Sequence, residues 1–410
     1  MTVTVSGCSL NGSVTVPSSK SAVHRLLICA ALSNEETVIT DATVSQDITA
    51  TVNCLQALGA EIAIDGNRLL VKPIGAVRKK ALLDCGESGS TLRFLLPVAS
   101  ALGADARFTG RGRLPQRPLS PLYELLCDNG CSLSPQGAFP LSVEGRLYGD
   151  CFAIDGGVSS QFISGLLMAA PLLKTNVTVE VTGTVESRPY IDLTVAAMRR
   201  FGVTVTEENN VYRIASSGYC SPGTVQAEGD WSNGAFWLVA KALTRSDLAV
   251  NGLDENSLQG DRAIAEIIKS TDGMRVPLTV DAAQIPDLVP VLAVLAAAIP
   301  GRNVIGNARR LRIKESDRLS SVCAMLTALG GTVTMGEDYL VVDGSGSLRG
   351  GTVDACNDHR IAMAAAVAAC LCERPVVIEG AEAVRKSYPN FFTEYAKRGM
   401  SVCPPYSGET

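Results

Sequence analysis

Six stretches of the chain share one pattern, in which small or polar residues come first and an apolar, helix-like run follows. They start at Ser18, Ser88, Ser159, Asp230, Asp287 and Asp358. The starts are 70, 71, 71, 57 and 71 residues apart, so the pattern is an internal repeat whose fourth copy is the weakest. Runs such as "LAVLAAA" and "IAMAAAVAA" are apolar on every side, which predicts that these helices are buried.

A short strand-like run and a second, amphipathic helix follow the buried helix. Examples of the strands are "ETVITDA" and "VTVEVTG", and examples of the second helices are "YIDLTVAAMRRFGVTV" and "DRLSSVCAMLTALGGTV". Because the second helices carry their charges on one face, we expect them to lie on the outside. Such units make a mixed α/β protein, most simply with three units in each of two domains, since 410 residues is too long for one core.

Composition narrows the classes of function. With 46% hydrophobic and 19% charged residues, most of the chain must be folded, and the net charge of -5 disfavours a nucleic-acid-binding protein. The 13 cysteines include no C-x-x-C pair and only His24 and His359 are present, which leaves a zinc site poorly supplied. No signal-peptide pattern and no apolar run of about 18 residues occurs, so we expect a cytoplasmic protein without a membrane span.

The starts of the buried helices are candidate anion-binding points, because helix N-termini present unpaired N–H groups and a partial positive charge. Ser and Asp at these places also suit ordinary N-capping. Basic side chains at the same starts favour the anion site, since capping does not require them: Lys20, Arg25, Arg93 and Arg360. The Gly/Pro-rich loop "GRGRLPQRPLSPL" adds Arg117 to this set.

Two acids stand among these cations. Asp287 in "QIPDLVP" is surrounded by apolar residues, where it is either an N-cap or a base held in an apolar place. Glu315 in "RIKESDRL" lies between Lys314 and Arg318, so it is either part of a surface ion network or a proton carrier among cations. The sequence pattern alone leaves both alternatives open.

Nine motifs follow one another in an order that resembles a known family. They are "VPSSKSAVHRLL", "SGSTLR", "LPQRPLSPL", "SSQFISGLL", "ESRPYIDLT", "IPDLVP", "RIKESDRL", "NDHRIAMAAAVAA" and "RKSYPNFF". Together they resemble the 5-enolpyruvylshikimate-3-phosphate (EPSP) synthase family of enolpyruvyl transferases, from about residue 11 to residue 395. The resemblance implies an α/β fold of two similar domains, each of three repeated β-α-β-α-β-β units forming an inside-out α/β barrel. A two-stranded hinge would join them, with one domain at residues 18–229 and a discontinuous one at residues 1–17 and 230–410.

The same resemblance implies the reaction and the residues that carry it. The enolpyruvyl group of phosphoenolpyruvate passes to the 5-hydroxyl of shikimate 3-phosphate and phosphate leaves, a step towards chorismate and the aromatic amino acids. The implied catalytic residues are Asp287 as the base, Glu315 as the proton carrier, and Lys20. Those implied for shikimate 3-phosphate are Lys20, Ser21, Arg25, Ser159, Ser160, Gln161, Ser187, Tyr190, Asp287 and Lys314. Those implied for phosphoenolpyruvate are Lys20, Gly89, Arg117, Gln161, Arg318, Arg360 and Lys386.

The resemblance also implies that no metal and no organic cofactor take part. The partners would be the two small-molecule substrates and, as a competing inhibitor, glyphosate, with no nucleic acid, no membrane and a monomeric protein. Two residues depart from the commoner Asn of the family, Glu87 and Arg310. We leave Glu87 out of the expected site because its charge would oppose an anion, and we give Arg310 no assigned role.

Three other functions compete with this interpretation. The sister enzyme that acts on UDP-N-acetylglucosamine has Lys-Asn in the first motif and a Cys in the arginine loop, whereas Ser21 follows Lys20 here and no Cys lies between Arg111 and Arg117. An RNA-phosphate cyclase-like enzyme would need a basic surface. A non-catalytic anion-binding scaffold would be expected to lose Lys20, Asp287 or Glu315, and all three are present.

Overall fold

The repeat in the sequence is a repeat of strands and helices in the structure, a computed structural model that describes residues 1–7 and 9–404. Residues 1–17 contain strands β1 (Thr2–Ser6) and β2 (Ser13–Thr15). Residues 18–228 contain α1 (Lys20–Ala31), β3 (Thr37–Thr40), α2 (Gln46–Leu58), β4 (Glu61–Asp65), β5 (Arg68–Lys72), β6 (Leu82–Asp84), α3 (Gly89–Leu102), β7 (Arg107–Thr109), α4 (Leu122–Asp128), β8 (Cys131–Leu133), β9 (Leu141–Gly145), β10 (Cys151–Asp155), α5 (Ser160–Ala169), β11 (Val177–Thr182), α6 (Arg188–Arg200), β12 (Val205–Glu208), β13 (Val211–Ile214) and β14 (Thr224–Gln226).

The remaining elements follow residue 228. They are α7 (Trp231–Thr244), β15 (Ala249–Asn251), α8 (Ile264–Ser270), β16 (Thr279–Asp281), α9 (Val289–Ala298), β17 (Gly301–Gly306), α10 (Arg318–Ala328), β18 (Thr332–Met335), β19 (Leu340–Gly344), β20 (Gly351–Asp354), α11 (His359–Ala368), β21 (Val376–Glu379), α12 (Phe391–Lys397) and β22 (Ser401–Cys403). Short 3-10 helices occur at Leu114–Gln116, Ala170–Leu172, Gly260–Ala263, Pro286–Leu288, Arg309–Ile313, Ala369–Leu371 and Ala381–Lys386.

Contacts within the chain divide it into two units. Ser18–Glu228 forms one, which we call the inserted unit, and Met1–Pro17 with Gly229–Thr410 forms the other, the split unit. Each has its own cluster of buried apolar side chains, one confined to the inserted unit and one to the split unit. A separate core in each unit gives each its own source of stability.

The inserted unit contains three four-stranded sheets of one design. Their strand orders are β14-β3-β5-β4, β6-β7-β9-β8 and β10-β11-β13-β12. In each sheet the first two strands are parallel and the others pair antiparallel, as in Leu82↔Arg107 on β6 and β7 and Cys131↔Gly145 on β8 and β9. A parallel pair needs a crossover between its strands, and α3 and α5 provide it after β6 and β10.

The split unit repeats the design with one shortened copy. Two of its sheets have the four-stranded orders β16-β17-β19-β18 and β20-β21-β1-β22, while the third is the parallel pair β15-β2. In the described residues this third copy lacks the antiparallel hairpin, which explains its shorter spacing in the sequence. The first strand of the chain, β1, lies between β21 and β22, with Val5 opposite Val376 on one side and Val402 on the other.

The helices that follow the apolar pattern are the buried ones. Every residue of α9 and α11 is buried, and α1, α3, α5 and α7 are buried over most of their length. A helix that is apolar on all faces is stable only inside a shell of other elements, so these six helices lie in the core. The predicted mixed α/β fold with repeated units is confirmed. The twelve cysteines of the described residues are free, and Cys8 lies outside those residues.

Among the residues that the structure describes, we find no helix of the length and hydropathy that crossing a bilayer requires.

Candidate active site

Five of the six buried helices begin at a side chain that caps the first turn. Ser19 accepts a hydrogen bond from the backbone N–H of Ala22, and Ser88 and Ser159 cap α3 and α5 in the same manner. Asp230 and Asp358 cap α7 and α11. These side chains therefore do the capping that the sequence allowed, and the anion-binding question depends on the cations placed beside them.

Lys20 is the first residue of α1, where the helix dipole disfavours a positive charge. Its Nζ lies 2.8 Å from Oδ2 of Asp47, in the first turn of α2. Both side chains are largely buried, at 14% and 12% exposed. The ion pair holds the ammonium at the N-terminal ends of two helices, which is where an anion would approach.

Arg25 lies one turn further along α1 and is 2% exposed. Its Nε donates to Oγ1 of Thr194 at 2.6 Å, and its Nη2 donates to the carbonyl of Tyr190 at 2.8 Å and to Oγ of Ser164 at 3.3 Å. Nη1 donates to the carbonyl of Ser21 at 2.7 Å. These partners are neutral oxygens, and burial lowers the pKa of Arg25 to about 10. The guanidinium thus ties α1 to α5 and α6 while keeping its charge at neutral pH.

The first turns of α3 and α5 are joined by polar side chains. Gln161 donates from Nε2 to Oγ of Ser90 at 2.9 Å and accepts from Nη1 of Arg93 at 2.8 Å. The other arm of Arg93 donates to the carbonyl of Pro118 at 3.1 Å, so it also holds the arginine loop. Ser159 and Ser160 are buried at the start of α5. The result is a row of neutral donors next to cations.

Gly89 opens α3 and lies directly against the guanidinium of Arg117. A Cβ on Gly89 would lie 2.9 Å from Cζ and 3.2 Å from Nη2 of Arg117, so the absence of a side chain lets the cation approach the helix N-terminus. Glu87 is half-buried, and its carboxylate lies against Gly112 in the loop that leads to Arg117, where a Cβ would come 2.6 Å from Oε2.

Ser187 and Tyr190 lie at the start of α6. Ser187 is buried and adopts the left-handed backbone conformation, with φ 54° and ψ 40°, directly before the helix. Only a few per cent of residues other than Gly adopt this conformation, which is common at functional turns. Tyr190 is half-buried, and its carbonyl receives the bond from Arg25. The expected residues of the inserted unit therefore lie at the starts of α1, α3, α5 and α6, except Arg117, which follows the 3-10 helix Leu114–Gln116.

Arg318 is the centre of the polar cluster in the split unit. It is the first residue of α10 and 1% exposed. Its Nε donates to Oδ2 of Asp358 at 2.8 Å, its Nη1 to Oδ1 of Asp287 at 2.6 Å, and its Nη2 to Oε2 of Glu315 at 2.7 Å. Burial alone would lower the pKa of Arg318, but the charges of the three carboxylates outweigh it and raise that pKa well above its usual value.

Asp287 receives three cations. In addition to Arg318, its Oδ2 accepts from Nη2 of Arg360 at 3.0 Å, and its Oδ1 lies 3.5 Å from Nζ of Lys314. It lies inside the 3-10 turn Pro286–Leu288, and the N-cap positions of this turn and of α9 are Ile285 and Leu288, so the N-cap alternative does not hold. Burial lowers the pKa of Lys314 to about 8; Asp287 opposes that shift, and the charge of Arg318 adds to it.

The split unit contains two more buried charged side chains. Lys386, at the end of the 3-10 helix Ala381–Lys386, is 5% exposed and donates to the carbonyl of Asn357 at 2.6 Å. Asp261 is 2% exposed and accepts a short hydrogen bond from Ser232. Burial, together with the charge of Asp287, raises the pKa of Asp261 to about 7, so it is a second titratable acid near the cluster.

The other charges of the stretch that runs from Arg309 to Arg318 serve the local structure. Asp317 caps α10 and accepts from Nη1 of Arg312 at 2.9 Å. Arg309 is 76% exposed and pairs with Glu337 at the surface. The stretch therefore has an exposed part at Arg309 and a second part in which Lys314, Glu315 and Arg318 point towards Asp287 or one another.

In residues 1–7 and 9–404, no three His, Cys, Asp or Glu side chains are grouped as a metal site requires.

Comparison with known proteins identifies the family of the chain. The family model for EPSP synthase (3-phosphoshikimate 1-carboxyvinyltransferase) matches residues 5–395. The chain belongs to the EPSP synthase family.

Relatives of the chain agree with this assignment. The 3-phosphoshikimate 1-carboxyvinyltransferases of Clostridium kluyveri and Clostridium acetobutylicum are 41% and 40% identical to it, with 98% of each chain covered. The solved structure of EPSP synthase from Acinetobacter baumannii is 25% identical and superposes with a TM-score of 0.81, covering 98% of this chain and 99% of that one. The resemblance drawn from the nine motifs is confirmed.

Within this EPSP synthase family chain, the expected site residues are divided between the two units. Lys20, Ser21, Arg25, Gly89, Arg117, Ser159, Ser160, Gln161, Ser187 and Tyr190 belong to the inserted unit, and Asp287, Lys314, Glu315, Arg318, Arg360 and Lys386 belong to the split unit. Direct contacts join Asp287, Lys314, Glu315, Arg318 and Arg360 around one guanidinium or one carboxylate.

Sequence reasoning missed several residues that contact the expected site residues. Asp47 pairs with Lys20 from another helix, and no motif marked it. Asp358 appeared only as a helix start, although it supplies the most buried carboxylate on Arg318. Arg93 was noted as a cation, but its role as the link between Gln161 and the arginine loop was not. A charged side chain within the first turns of a helix was the signal that could have drawn attention to all three.

Proposed function

We propose that this protein is a 3-phosphoshikimate 1-carboxyvinyltransferase that moves the enolpyruvyl group of phosphoenolpyruvate to the 5-hydroxyl of shikimate 3-phosphate. The observation that carries the proposal is the pair of acids Asp287 and Glu315, both hydrogen-bonded to the buried guanidinium of Arg318. An addition to a double bond needs one group to take a proton and another to give one, and the two carboxyl groups supply that pair.

The reaction balances with these two acids. Asp287 accepts the proton of the 5-hydroxyl while the oxygen of that hydroxyl bonds to C2 of phosphoenolpyruvate. Glu315 gives a proton to C3. In the second step C3 returns a proton to Glu315, the bond from C2 to the phosphate oxygen breaks, and inorganic phosphate leaves with the proton that Asp287 had accepted, so both acids regain their starting states. Arg318 fixes the distance between the two acids because both accept from the same planar group.

The cations and hydroxyls of both units suit the substrates. For shikimate 3-phosphate we propose Lys20, Ser21, Arg25, Ser159, Ser160, Gln161, Ser187, Tyr190, Asp287 and Lys314. For phosphoenolpyruvate we propose Lys20, Gly89, Arg117, Gln161, Arg318, Arg360 and Lys386. Guanidinium groups bind phosphate and carboxylate with two parallel hydrogen bonds, which supports the arginines in the second set.

Arg318 has a second role to weigh against direct contact. Three carboxylates already accept from it, and its side chain is 1% exposed. Its geometry therefore supports it most strongly as the residue that holds Asp287 and Glu315, and a bond to phosphoenolpyruvate would replace one of these contacts.

Further features belong to the same proposal. We propose that the inserted and split units are the two domains expected from the resemblance, and that the enzyme works as a cytoplasmic monomer without nucleic acid. Glyphosate, a small anion, is proposed to compete with phosphoenolpyruvate, which the close approach of Arg117 to Gly89 supports.

The proposal is tested first by the acceptor. Incubation with phosphoenolpyruvate and shikimate 3-phosphate should release inorganic phosphate and form the enolpyruvyl ether. Phosphate release with UDP-N-acetylglucosamine in place of shikimate 3-phosphate, and none with shikimate 3-phosphate itself, would assign the chain to the sister activity.

The role of Glu315 is tested by Glu315→Gln, which keeps the shape and removes the transferable proton. We expect kcat to fall by about 10² or more, the usual size of a general acid–base contribution. Both KM values should stay within about threefold, since ground-state contacts remain. Glu266→Gln is the matched control, because Glu266 is 77% exposed on α8 and pairs with Lys269 at the surface. Turnover of Glu315→Gln equal to that of the control would remove Glu315 from the mechanism.

A further inference from the structure

A buried chain of hydroxyl groups connects α1, α2 and α3 of the inserted unit. Nδ1 of His24 lies 2.8 Å from Oγ1 of Thr51, which lies 2.7 Å from Oγ1 of Thr91. Thr91 donates its hydroxyl proton to Oγ of Ser88 at 2.7 Å. All four residues are buried, at 1% exposure or less. The chain ends at the N-cap of α3, the residue directly before Gly89.

The directions of these bonds follow from one of them. Each hydroxyl has a single proton, and Thr91 uses its proton on Ser88. Thr51 must therefore donate to Thr91, and the N–H of His24 must donate from Nδ1 to Thr51. Among these four side chains, only the imidazole donates a hydrogen bond without accepting one from another member of the series. His24 therefore sets the orientation of the three hydroxyls that follow it.

His24 is held in the neutral state. Burial lowers its pKa well below the usual value, and the charges of Lys20 and Arg25 lower it further. In the described part of the chain Nε2 is buried without a hydrogen-bond partner, so an added proton there would have no acceptor. The edge of Phe94 packs on the ring with centroids 6.3 Å apart. A neutral, enclosed imidazole is suited to orienting its neighbours and unsuited to exchanging protons.

The chain lies beside the polar contacts already described. Lys20 and His24 are one turn apart on α1, and their partners Asp47 and Thr51 are one turn apart on α2. Two parallel contacts thus fix α1 against α2, and only the inner one continues to Thr91 on α3. A shift of α3 along its axis would break the hydrogen bond between Thr51 and Thr91.

The start of α3 matters because of what rests on it. Ser88 caps the helix through the N–H of Thr91 at 3.2 Å, and Gly89 follows with the guanidinium of Arg117 against it. We infer that His24 is a positioning residue, which acts through Thr51, Thr91 and Ser88 to fix the helix start that receives the Arg117 guanidinium. The inference rests on the proposed function only in naming phosphoenolpyruvate as the ligand of that place.

The test removes the hydroxyl of Thr51, which lies in the middle of the hydrogen-bonded series. Thr51→Val keeps the shape and deletes both hydrogen bonds, and we expect KM for phosphoenolpyruvate to rise about tenfold, the effect of one lost hydrogen bond. The value of kcat should change by less than about threefold, because no reacting group is touched. Thr37→Val is the matched control: Thr37 is equally buried in the same unit and loses a comparable 2.7 Å bond to Ser221. It should lower stability and leave KM unchanged.

Rescue separates positioning from general damage. Thr51→Ser retains the hydroxyl, and His24→Asn places an amide N–H near the position of Nδ1, so both should stay close to the unmodified enzyme. His24→Leu should behave like Thr51→Val. The pH profile of kcat/KM should be the same for His24→Asn as for the unmodified enzyme, since His24 does not titrate in the working range.

A readout without turnover keeps the inference independent of the proposed activity. Hydrogen exchange of the backbone amides at residues 88–92 should be faster in Thr51→Val than in Thr37→Val. Equal exchange and equal KM in these two variants would overturn the positioning role, and so would a pH profile altered by His24→Asn. If the unmodified protein released no phosphate while exchange at residues 88–92 still responded to Thr51→Val, the proposed function would fail and the positioning role would stand.

Discussion

Replacing Arg318 by Met tests whether its guanidinium compensates buried negative charge. The change keeps a long side chain at a position that is 1% exposed and removes the donor to three carboxylates. Asp287 retains Arg360 and Lys314, so it remains compensated. Glu315 is 20% exposed and can reach water, so the uncompensated charge lies mainly on Asp358, which is fully buried.

The magnitude follows from this remaining charge. Removing one partner of a buried ion pair costs about 3–5 kcal/mol because the other charge stays out of water. Asp358 keeps two neutral donors, the hydroxyl of Ser316 at 3.0 Å and the N–H of Arg360 at 2.9 Å, which argues for the lower half of that range. For a unit of this size, about 3–4 kcal/mol lowers the unfolding temperature by roughly 6–16 °C.

Calorimetry without ligands measures the effect on folding alone. The unfolding transition of the split unit should shift, whereas that of the inserted unit should not if the two separate. Arg309→Met is the matched control, since Arg309 comes from the same stretch, is 76% exposed and pairs with Glu337 at the surface. Its transition should coincide with that of the unmodified protein, as expected for a surface ion pair.

A double variant can refute the reasoning. Arg318→Met combined with Asp358→Asn removes the stranded charge and keeps a good N-cap for α11, so it should be more stable than Arg318→Met alone. Equal or lower stability of the double variant would mean that lost packing, and not buried charge, accounts for the effect.

Three further predictions concern the two units. Gly89→Ala should raise both the KM of phosphoenolpyruvate and the Ki of glyphosate about 10-fold or more at normal stability, because a Cβ there displaces the flexible end of Arg117. Unchanged KM and Ki values in steady-state kinetics would contradict this prediction. Since the pKa of Lys314 in the folded protein is about 8, below its value of about 10.4 in the unfolded chain, folding releases a proton between these pH values and stability rises with pH there. Calorimetric titration at pH 9 in two buffers should show proton uptake when shikimate 3-phosphate binds, and none in Lys314→Arg. Asn303→Ala should cost about 2–3 kcal/mol in urea unfolding, because the fully buried amide accepts from Leu278 N–H at 2.7 Å and donates to the carbonyl of Ile299 at 2.9 Å.

Local patterns in the sequence were enough for the repeating elements. Apolar residues on all faces of the runs after Ser88 and Asp358 predicted buried helices, and α3 and α11 are buried. The N-cap of α10 is equally local, because Asp317 accepts from the backbone N–H of Ser320, three residues further along the chain. Such features depend on neighbours a few positions apart, which a sequence displays directly.

The partners of the site residues could not be predicted from local patterns. Asp287 accepts from Arg318 and Arg360, 31 and 73 residues away, and only the packing of three helix starts brings these cations to it. The path from His24 to Thr91 crosses three helices with no shared spacing. Resemblance to a family supplied the roles of such residues, but it gave no account of the hydrogen bonds that position them.

The place of β1 between β21 and β22 has a consequence for synthesis on the ribosome. The first strand leaves the ribosome early, but its partners come about 370 residues later, a delay of roughly 20–70 s at ~5–20 residues per second. The inserted unit, in contrast, is one continuous stretch of chain and can fold during that delay. Strand β1 can therefore complete its pairing only after β21 and β22 have left the ribosome, so the sheet that contains the first strand of the chain is among the last to form.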